Sequence, residues 1–210
     1  MSLAAYVAHE LRTPLATQRA LLELALADPG ADVATWRETG VDVLGACKQQ
    51  ERLLEACLTL AQSESGLRGS DLVDLAGTAR EALQALDPNG IERVIVLEPA
   101  WTTGDPRLVE SLVTNLVSNA IRHNLPGGRL DVFTFTTARR AMFRIANTGP
   151  VIGDGELTRL FQPFQRLGSS GVGLGLTIVK AIADAHDATL TVRPRATGGL
   201  VFDVDFSALD

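Results

Sequence analysis

Apolar residues recur at helical spacing over the first 65 residues, and this pattern predicts two long helices. The first runs from about Ser2 to Ala27, and the second runs from about Asp32, a suitable N-cap, to Ser65. In the second helix the apolar side chains form two adjacent rows, namely Leu44, Cys47, Leu54, Leu58 and Ala61, and beside them Leu53, Cys57 and Leu60. Such a face is wider than the seam of a two-stranded coiled coil. We therefore expect a four-helix bundle formed by two chains, or alternatively a cover supplied by the rest of the same chain.

After a short segment at residues 66–70, interpreted as a linker, helices and strands alternate. Asp105 is a suitable cap for one of these helices, and Pro106 fits its first position. The pattern predicts helices over 72–86, 105–124 and 176–185, and strands over 91–97, 130–136, 141–146, 189–193 and 200–206. This order predicts an α+β fold, with a mixed sheet covered on one face by helices. The predicted domains are residues 1–66 and 67–210.

Composition narrows the class of protein without naming a function. Hydrophobic residues make up 46% of the 210 residues and charged residues 21%, as in an ordinary globular protein. The formal net charge of −6 argues against a nucleic-acid partner, because no basic stripe is available to neutralise phosphates. No apolar run approaches the roughly 20 residues that a membrane span needs, so we expect no membrane contact by this chain. Cys47 and Cys57 lie about 15 Å apart on one helix, too far for a disulfide, and we expect reduced thiols.

A histidine near the start of the first helix is the strongest candidate for chemistry. His9 precedes Glu10, and Thr13 and Pro14 follow one helical turn later. An imidazole suits nucleophilic attack or proton transfer at neutral pH, because its unperturbed pKa lies near physiological pH. Zinc-protease chemistry is excluded, because the second histidine of that helical motif is replaced by Thr13. His186 is instead interpreted as serving the end of a helix, where a cation suits the helix dipole.

Four polar residues share one face of the helix predicted over 105–124, namely Asn115, Asn119, Arg122 and His123. Exposed helical stripes usually carry Lys and Glu rather than repeated Asn, which disfavours a simple solvated face. Amide oxygens suit Mg²⁺, which takes its remaining ligands from water and phosphates, and an arginine can bind a phosphate directly. The stripe therefore indicates a site for a metal and a phosphate.

A glycine cluster leads into the next predicted helix and contains Gly171, Gly173 and Gly175. Small residues let the backbone approach an anion, and a helix N-terminus presents unpaired N–H groups. The spacing matches neither the Walker A motif nor the dinucleotide-binding fingerprint, and a flexible loop is the alternative interpretation. Taken with the Asn stripe, the cluster predicts a nucleotide phosphate site.

These residues fall in motifs that resemble those of the bacterial sensor histidine kinases of two-component systems. HELRTPL at 9–15 resembles the H box, LVTNLVSNAIRHN at 112–124 the N box, and NTGP at 147–150 the first glycine box. LFQPFQRL at 160–167 resembles the F box, and GVGLGLTIVKAIADAH at 171–186 resembles the second glycine box. Five motifs in the family's order cover nearly the whole chain, which makes chance agreement an untenable explanation.

The resemblance implies a helical hairpin that forms a dimeric four-helix bundle, followed by an α/β sandwich ATPase domain of the superfamily that includes gyrase and Hsp90. It implies ATP and Mg²⁺ as cofactors and a response-regulator receiver domain as partner. His9 would accept the γ-phosphoryl group of ATP and pass it to an aspartate of that receiver domain. Asn119 would hold Mg²⁺, and Asn147 would recognise the adenine amino group. The other implied nucleotide-binding residues are Asn115, Arg122, His123, Gly149, Arg166, Gly171, Gly173, Leu174 and Gly175.

Helix spacing, independently of the resemblance, suggests roles for the neighbours of His9. Glu10 would act as a base through a rotamer that curls back to the imidazole, and Thr13 would position a water for hydrolysis of a phosphoryl group. A phosphatase activity toward the response regulator is therefore a further expectation. Relatives carry sensory and membrane-spanning segments upstream, so we expect this chain to be the cytoplasmic portion of a membrane receptor.

Three features depart from the family pattern, and one of them is a lid at residues 167–170 that is shorter than in relatives. Asn147 stands where the first glycine box usually has Asp, and Val151 replaces its second glycine. These departures leave an alternative function, namely a noncatalytic dimeric scaffold or a phosphatase-only relative with a degenerate nucleotide site. A gyrase-like or chaperone-like ATPase is disfavoured, because such proteins have no use for the H box on an upstream hairpin.

Overall fold

The computed structural model describes residues 3–64, 71–86, 90–153, 157 and 175–208. These fall into two units, residues 1–58 and 59–210. The predicted linker at residues 66–70 lies outside the described residues, and the domain boundary placed after residue 66 stays a prediction.

Two long helices form a hairpin, α1 (Leu3–Ala27) and α2 (Val33–Glu64), and the first unit contains α1 and most of α2. In the turn between them, the Gly30 N–H donates to Asp28 Oδ1 at 2.8 Å. Asp32 caps α2, because its Oδ1 accepts from the Thr35 N–H at 2.8 Å, and this hydrogen bond lowers the pKa of Asp32. Both predicted helices and the predicted cap are confirmed.

The two helices of the hairpin contact one another through a buried amide. Gln18 Nε2 donates to Cys47 Sγ at 3.3 Å and to Gln50 Oε1 at 3.2 Å, and Cys47 forms no disulfide. The large apolar side chains remain exposed in the single chain, with exposed fractions of 61% for Leu44 and 63% for Leu58. Other exposed apolar side chains of the hairpin are Leu15, Leu22, Leu24, Leu26, Val41 and Leu54. The hairpin therefore leaves apolar surface that a further element could cover.

The second unit combines a mixed sheet with three helices in the described ranges. The helices are α3 (Leu75–Ala85), α4 (Pro106–Arg122) and α5 (Gly175–Ala185). The strands are β1 (Asp71–Asp74), β2 (Glu92–Leu97), β3 (Trp101–Gly104), β4 (Arg129–Thr137), β5 (Arg140–Asn147), β6 (Thr189–Pro194) and β7 (Leu200–Ser207). Within the described stretches, every helix is too short or too polar to cross a membrane.

Five strands form one sheet in the order β2-β4-β5-β7-β6, and β1 and β3 form a separate antiparallel ribbon. Strands β2 and β4 are parallel, and the other neighbours in the larger sheet are antiparallel. In the β4–β5 register Leu130 lies opposite Asn147, and in the β5–β7 register Asn147 lies opposite Leu200. This register places Asn147 at the last position of β5, between two neighbouring strands.

The two faces of the large sheet differ in chemistry. Alternate residues along the central strands, including Leu130, Phe143 and Val204, are fully buried beneath the helices. The opposite face carries ion pairs, such as Arg140 Nε with Asp205 Oδ1 at 2.6 Å, and it stays open to solvent. The structure therefore confirms a mixed sheet covered on one face by helices.

The N-terminal end of α3 differs from the sequence-based prediction. The pattern predicted a helix over 72–86, whereas Asp71–Asp74 forms a strand and the helix begins at Leu75. Asp74 is the cap, because its Oδ1 accepts from the Ala76 N–H at 3.0 Å. The strand exists because β1 pairs with β3, a contact that local periodicity does not report. Strand β3 was likewise absent from the prediction.

Substitution of two nearby aspartates, Asp74 and Asp71, tests which residue caps α3. Asp74→Ala should lower the free energy of unfolding by about 1 kcal/mol, because it removes the side-chain acceptor of the first turn of α3. Asp71→Ala, three residues earlier on an exposed strand position, should leave it nearly unchanged. Urea denaturation followed by circular dichroism measures both. A loss in Asp71→Ala with none in Asp74→Ala would restore the helix start predicted from the sequence.

Candidate nucleotide-binding site

The two predicted phosphate-binding motifs meet where the start of α5 packs on α4. A Cβ atom built on Gly175 would lie 3.1 Å from Asn115 Oδ1 and 3.3 Å from Asn119 Nδ2. Contacts this short crowd a side chain, so glycine keeps the space between the two amides open. The structure therefore brings Gly175 of the glycine cluster together with both asparagines of the polar stripe.

The orientation of Asn115 is set by its own helix. Its Nδ2 donates to the Ser111 carbonyl at 2.8 Å, so its Oδ1 is the atom turned toward Gly175. Amide oxygens are hard, neutral ligands of the kind that Mg²⁺ accepts alongside phosphate oxygens. Among the described residues, no three His, Cys, Asp or Glu side chains could hold a metal ion together. The donor set near Gly175 therefore fits a cation that is shared with a phosphate ligand.

The first turn of α5 contributes polar groups to the same region. Gly175 begins the helix, and the N–H groups of a first turn have no partner within their own helix. The Thr177 hydroxyl is buried and finds no hydrogen-bond partner among the described residues. A buried hydroxyl without a partner costs folding free energy, which is uncommon in a region shaped for stability alone.

The C-terminal end of α4 contacts the loop after β5. His123 is the C-cap residue of α4, and a Cβ on Gly149 would lie only 2.9 Å from the His123 carbonyl oxygen. Asn147 is 5% exposed, and its Nδ2 donates to the Thr148 carbonyl at 2.8 Å. No donor among the described residues reaches its Oδ1, which stays available as an acceptor. His123, Asn147 and Gly149 therefore form a second group beside the same helix.

Sequence reasoning missed the glycine pair that supports this second group. Gly198 and Gly199 have φ angles of +93° and +91°, which favour glycine, and a Cβ on Gly199 would lie 1.9 Å from the Asn147 carbonyl oxygen. The Gly199 N–H also donates to the Pro150 carbonyl at 2.9 Å. Adjacent glycines between two predicted strands were the available signal for a tight backbone approach.

Sequence reasoning also missed a hydrogen bond that joins the end of α4 to the loop after β5. The Thr148 hydroxyl donates to Asn124 Oδ1 at 2.5 Å, and Asn124 Nδ2 donates to the Arg129 carbonyl at 3.1 Å. Asn124 follows directly after the C-cap of α4, so this network ties the helix end to the loop that carries Asn147. A polar residue at the predicted end of a helix was the signal that the sequence offered.

The electrostatic setting of His123 favours its neutral form. The surrounding protein desolvates the partly exposed imidazole, and Arg122 repels a second positive charge, so both effects lower the pKa of His123 below its ordinary value of 6.5. Arg122 itself is exposed on the face that carries Asn119. An anionic ligand near these two residues would oppose the same electrostatic penalty.

Several predicted site residues lie where the structure gives no side-chain description. His9, Glu10 and Thr13 lie within α1, with side chains outside the described set. The glycine-box and F-box residues Arg166, Gly171, Gly173 and Leu174 lie outside the described residues. Their roles stay predictions.

Comparisons with known proteins identify the same two parts of the chain. Residues 2–66 match the family model of the His Kinase A (phospho-acceptor) domain. Residues 104–209 match the family model of the histidine kinase-, DNA gyrase B- and HSP90-like ATPase. The first match covers α1 and α2, and the second covers α4, α5 and the site residues described above.

Individual relatives agree with the family models. Sensor protein CutS of Streptomyces coelicolor is 39% identical over 207 residues, which cover 93% of this chain and 50% of CutS. The solved structure of the mycobacterial sensor histidine kinase MprB is 27% identical, with a TM-score of 0.62 over 66% of this chain and 97% of that one. A structure of histidine kinase ThkA in complex with response regulator protein TrrA shares the fold, with 18% identity and a TM-score of 0.71 over 99% of this chain and 61% of that one.

The chain spans about half the length of the curated relatives that it matches. Within it, a phospho-acceptor domain is followed by an ATPase domain of this type. By these matches, and by the meeting of the N box with the second glycine box beside Gly175, the chain belongs to the bacterial two-component sensor histidine kinases.

Proposed function

We propose that this chain is an ATP-dependent protein-histidine kinase that phosphorylates His9 and then transfers the phosphoryl group to an aspartate of a response regulator. The contact of Gly175 with Asn115 and Asn119 carries the proposal, because it forms an open space lined by amide groups at a helix N-terminus. Such a space suits the phosphates of a nucleotide. The family of the chain supplies the acceptor, a histidine on the first helix of the hairpin.

The proposed reaction is an in-line displacement at the γ-phosphorus of ATP. The imidazole of His9 attacks through Nε2, a P–N bond forms, and the bond from phosphorus to the bridging oxygen of ADP breaks. Before attack, Glu10 accepts a hydrogen bond from Nδ1–H, which leaves Nε2 unprotonated; as the P–N bond forms, the Nδ1 proton passes to Glu10 and the phosphorylated ring becomes neutral. The phosphoryl group then passes to a carboxylate oxygen of the receiver domain, which restores the free imidazole.

The residues near Gly175 are proposed to bind the phosphates. Asn119 and Asn115 present amide groups to the space beside Gly175, and Arg122 adds a positive charge on the same helix. Mg²⁺ bound between Asn119 and the phosphates would offset the negative charge that builds up during transfer. The N–H groups at the start of α5 would contribute to the same anion site.

The adenine end is proposed to bind near Asn147, with His123 lying between it and the asparagines that bind the phosphates. Asn147 Oδ1 has no donor among the described residues and can accept from the adenine amino group. The missing charge at this position, relative to the family's usual Asp, weakens the hydrogen bond without removing the acceptor. The Val151 side chain is 76% exposed, and therefore the valine does not fill the interior of the loop. Both departures are compatible with nucleotide binding.

The hairpin is proposed to dimerise. Apolar side chains on both α1 and α2 are exposed in the single chain, with Leu44 and Leu58 more than half exposed. A second copy of the hairpin offers the same apolar surface in return and completes a four-helix bundle. Dimerisation would thus bury the rows that the sequence pattern singled out.

The proposed protein partner is a response-regulator receiver domain. ThkA, which has the same fold, is solved in complex with the response regulator protein TrrA. Thr13, one helical turn after His9, is proposed to position a water for hydrolysis of the phosphorylated partner, which would add a phosphatase activity. Placement in the cytoplasmic part of a membrane receptor stays a prediction.

Phosphorylation of His9 is directly testable. Incubation with Mg-ATP should yield an acid-labile, alkali-stable phosphoryl group, and His9→Gln should abolish it, because the nucleophile is lost. The variant should keep the wild-type dissociation constant for Mg-ATP by calorimetry, which separates loss of the acceptor from loss of the nucleotide site. Label that survives the substitution would overturn the assignment of His9. Wild-type protein that binds no Mg-ATP would favour the noncatalytic scaffold instead.

A single methyl group at position 175 tests whether the phosphates use the space beside Gly175. Gly175→Ala should weaken Mg-ATP binding roughly three- to tenfold, about 0.7–1.4 kcal/mol, because the new methyl group lies against both asparagine amides. Gly45→Ala is the matched control, since a Cβ at that helical position meets nothing within 4 Å. Calorimetric titration at matched magnesium concentration compares the two variants. Equal affinity in both would show that the phosphates do not use this space.

The protonation of His123 should report the nucleotide phosphates. In the folded chain without ligand we expect the pKa of His123 to lie below 6.5. As the pH falls below 6.5, the unfolded chain therefore binds this proton before the folded chain does, and the free energy of unfolding decreases. A bound triphosphate should raise the pKa of His123, since negative charge favours the imidazolium. Affinity at this site should then increase as pH falls from the raised pKa toward the free one. NMR titration of the His123 ring measures both values, and adenosine, which lacks phosphates, should leave the pKa unchanged. A triphosphate that also leaves it unchanged would place the phosphates away from His123.

A further inference from the structure

A buried histidine joins the two helices that carry the nucleotide site. His186, directly after α5, places Nδ1 2.8 Å from the Ile182 carbonyl oxygen and Nε2 3.1 Å from the Asp105 backbone nitrogen. A carbonyl can only accept and a backbone N–H can only donate, so Nδ1 carries the proton and Nε2 accepts. The ring is therefore neutral and acts as a bridge, whereas the sequence suggested a cation at the end of the helix.

The surroundings hold this imidazole in one position. His186 is 8% exposed, and its ring is nearly perpendicular to that of Phe206, at 84° with centroids 6.1 Å apart. A Cβ atom on Gly104 would lie 2.3 Å from His186 Cδ2 and 2.5 Å from Nε2. The imidazole thus occupies space that only a glycine at position 104 leaves open.

The contact made by His186 and the contact made by Gly175 lie at opposite ends of the same helix pair. Asp105 is the N-cap of α4, and its side chain accepts from the Arg107 N–H at 2.9 Å. From Gly175 to His186 the α5 helix advances about 16 Å, and from Asp105 the α4 helix advances about 15–21 Å to reach Asn115 and Asn119. Helices α4 and α5 therefore run antiparallel, and the two contacts together determine how far one helix is shifted along the other.

We propose that His186 is a positioning residue for the nucleotide site, whose hydrogen bond to the Asp105 N–H sets the register of α5 along α4 and so holds Gly175 beside Asn115 and Asn119. This inference rests on the proposed function, since it assigns a purpose to that register. A slip of one residue along a helix moves Gly175 by about 1.5 Å. A displacement of this size would change the fit of the site, because a Cβ atom at Gly175 would already lie only 3.1 and 3.3 Å from the two asparagine amides.

Two substitutions at position 186 separate the two hydrogen bonds of the ring. The amide of His186→Gln reaches the place of Nε2 and retains an acceptor for the Asp105 N–H. The shorter amide of His186→Asn reaches the place of Nδ1 and retains a donor for the Ile182 carbonyl, but it does not reach Asp105. Both variants carry the same functional group, so they differ chiefly in the link between the two helices.

Mg-ATP affinity provides the first measurement, with each variant studied at a temperature where circular dichroism shows it folded. We expect His186→Asn to raise the dissociation constant roughly three- to tenfold, and His186→Gln to stay within about twofold of the wild type. A purely structural role would lower the melting temperature of both variants without this difference in affinity. Equal affinities in the two folded variants would overturn the proposal.

A second measurement needs no substituted protein and keeps the proposal testable if the variants do not fold. Coupling between two sites is reciprocal, so Mg-ATP should slow hydrogen exchange of the Asp105 amide in the wild-type chain. Bound Mg-ATP without any change in exchange at Asp105 would also overturn the proposal.

A third measurement separates failure of this inference from failure of the proposed function. Without nucleotide, the NMR signals of the Gly175 amide and of the Asn115 and Asn119 side chains should shift in His186→Asn and stay in place in His186→Gln. Absence of Mg-ATP binding by the wild-type chain would contradict the kinase assignment, while these shifts would still support the role of His186. Unshifted signals in His186→Asn would refute that role whether or not ATP binds.

Discussion

The packing of α5 against α4 is the contact on which the candidate site depends. Helix α4 buries an apolar stripe that includes Leu112, Leu116 and Val117, and this burial fixes the rotation of the helix on the sheet. With that rotation set, Asn115 and Asn119 remain half-buried along the edge that faces the start of α5. The chemistry of the site is therefore a consequence of hydrophobic packing. The polar stripe could not reach a ligand if α4 were turned or shifted on its apolar face.

Such a site must hold polar groups in a setting where most of their neighbours are apolar. Asn115 satisfies one end of its amide within α4, and Asn147 satisfies one end at the Thr148 carbonyl. In both residues the amide NH₂ group donates to a nearby backbone carbonyl, and the amide oxygen remains able to accept from another partner. The Thr177 hydroxyl has no partner among the described residues. A buried hydroxyl without a partner is costly, so this one in the first turn of α5 favours a region shaped for function over a region shaped for stability alone.

The parts of this structure that follow from neighbouring residues could be predicted, and those that depend on distant pairing could not. Asp32 and Asp105 were identified as helix caps because capping is decided within one helical turn. The strand at Asp71–Asp74 was missed because it exists only through pairing with Trp101–Gly104. The same reason explains Gly199, whose backbone approaches Asn147 from the turn before β7. His186 shows an intermediate case, since its place at a helix end was read correctly but its link to Asp105 required the fold.

The two units gain their stability in different ways, and this difference bears on signalling. The second unit buries side chains such as Phe143, Leu112 and Val204 within one chain, so its folding does not require a partner. The hairpin exposes leucines on both helices, so its stability is expected to depend on association and hence on protein concentration. If the hairpin dimerises as proposed, an event that alters its packing would change the surroundings of His9 while the second unit keeps its own core. A kinase organised in this way can be regulated through the hairpin that carries the proposed acceptor histidine. The geometry of its nucleotide site would then stay fixed, because it depends on the packing of α5 along α4.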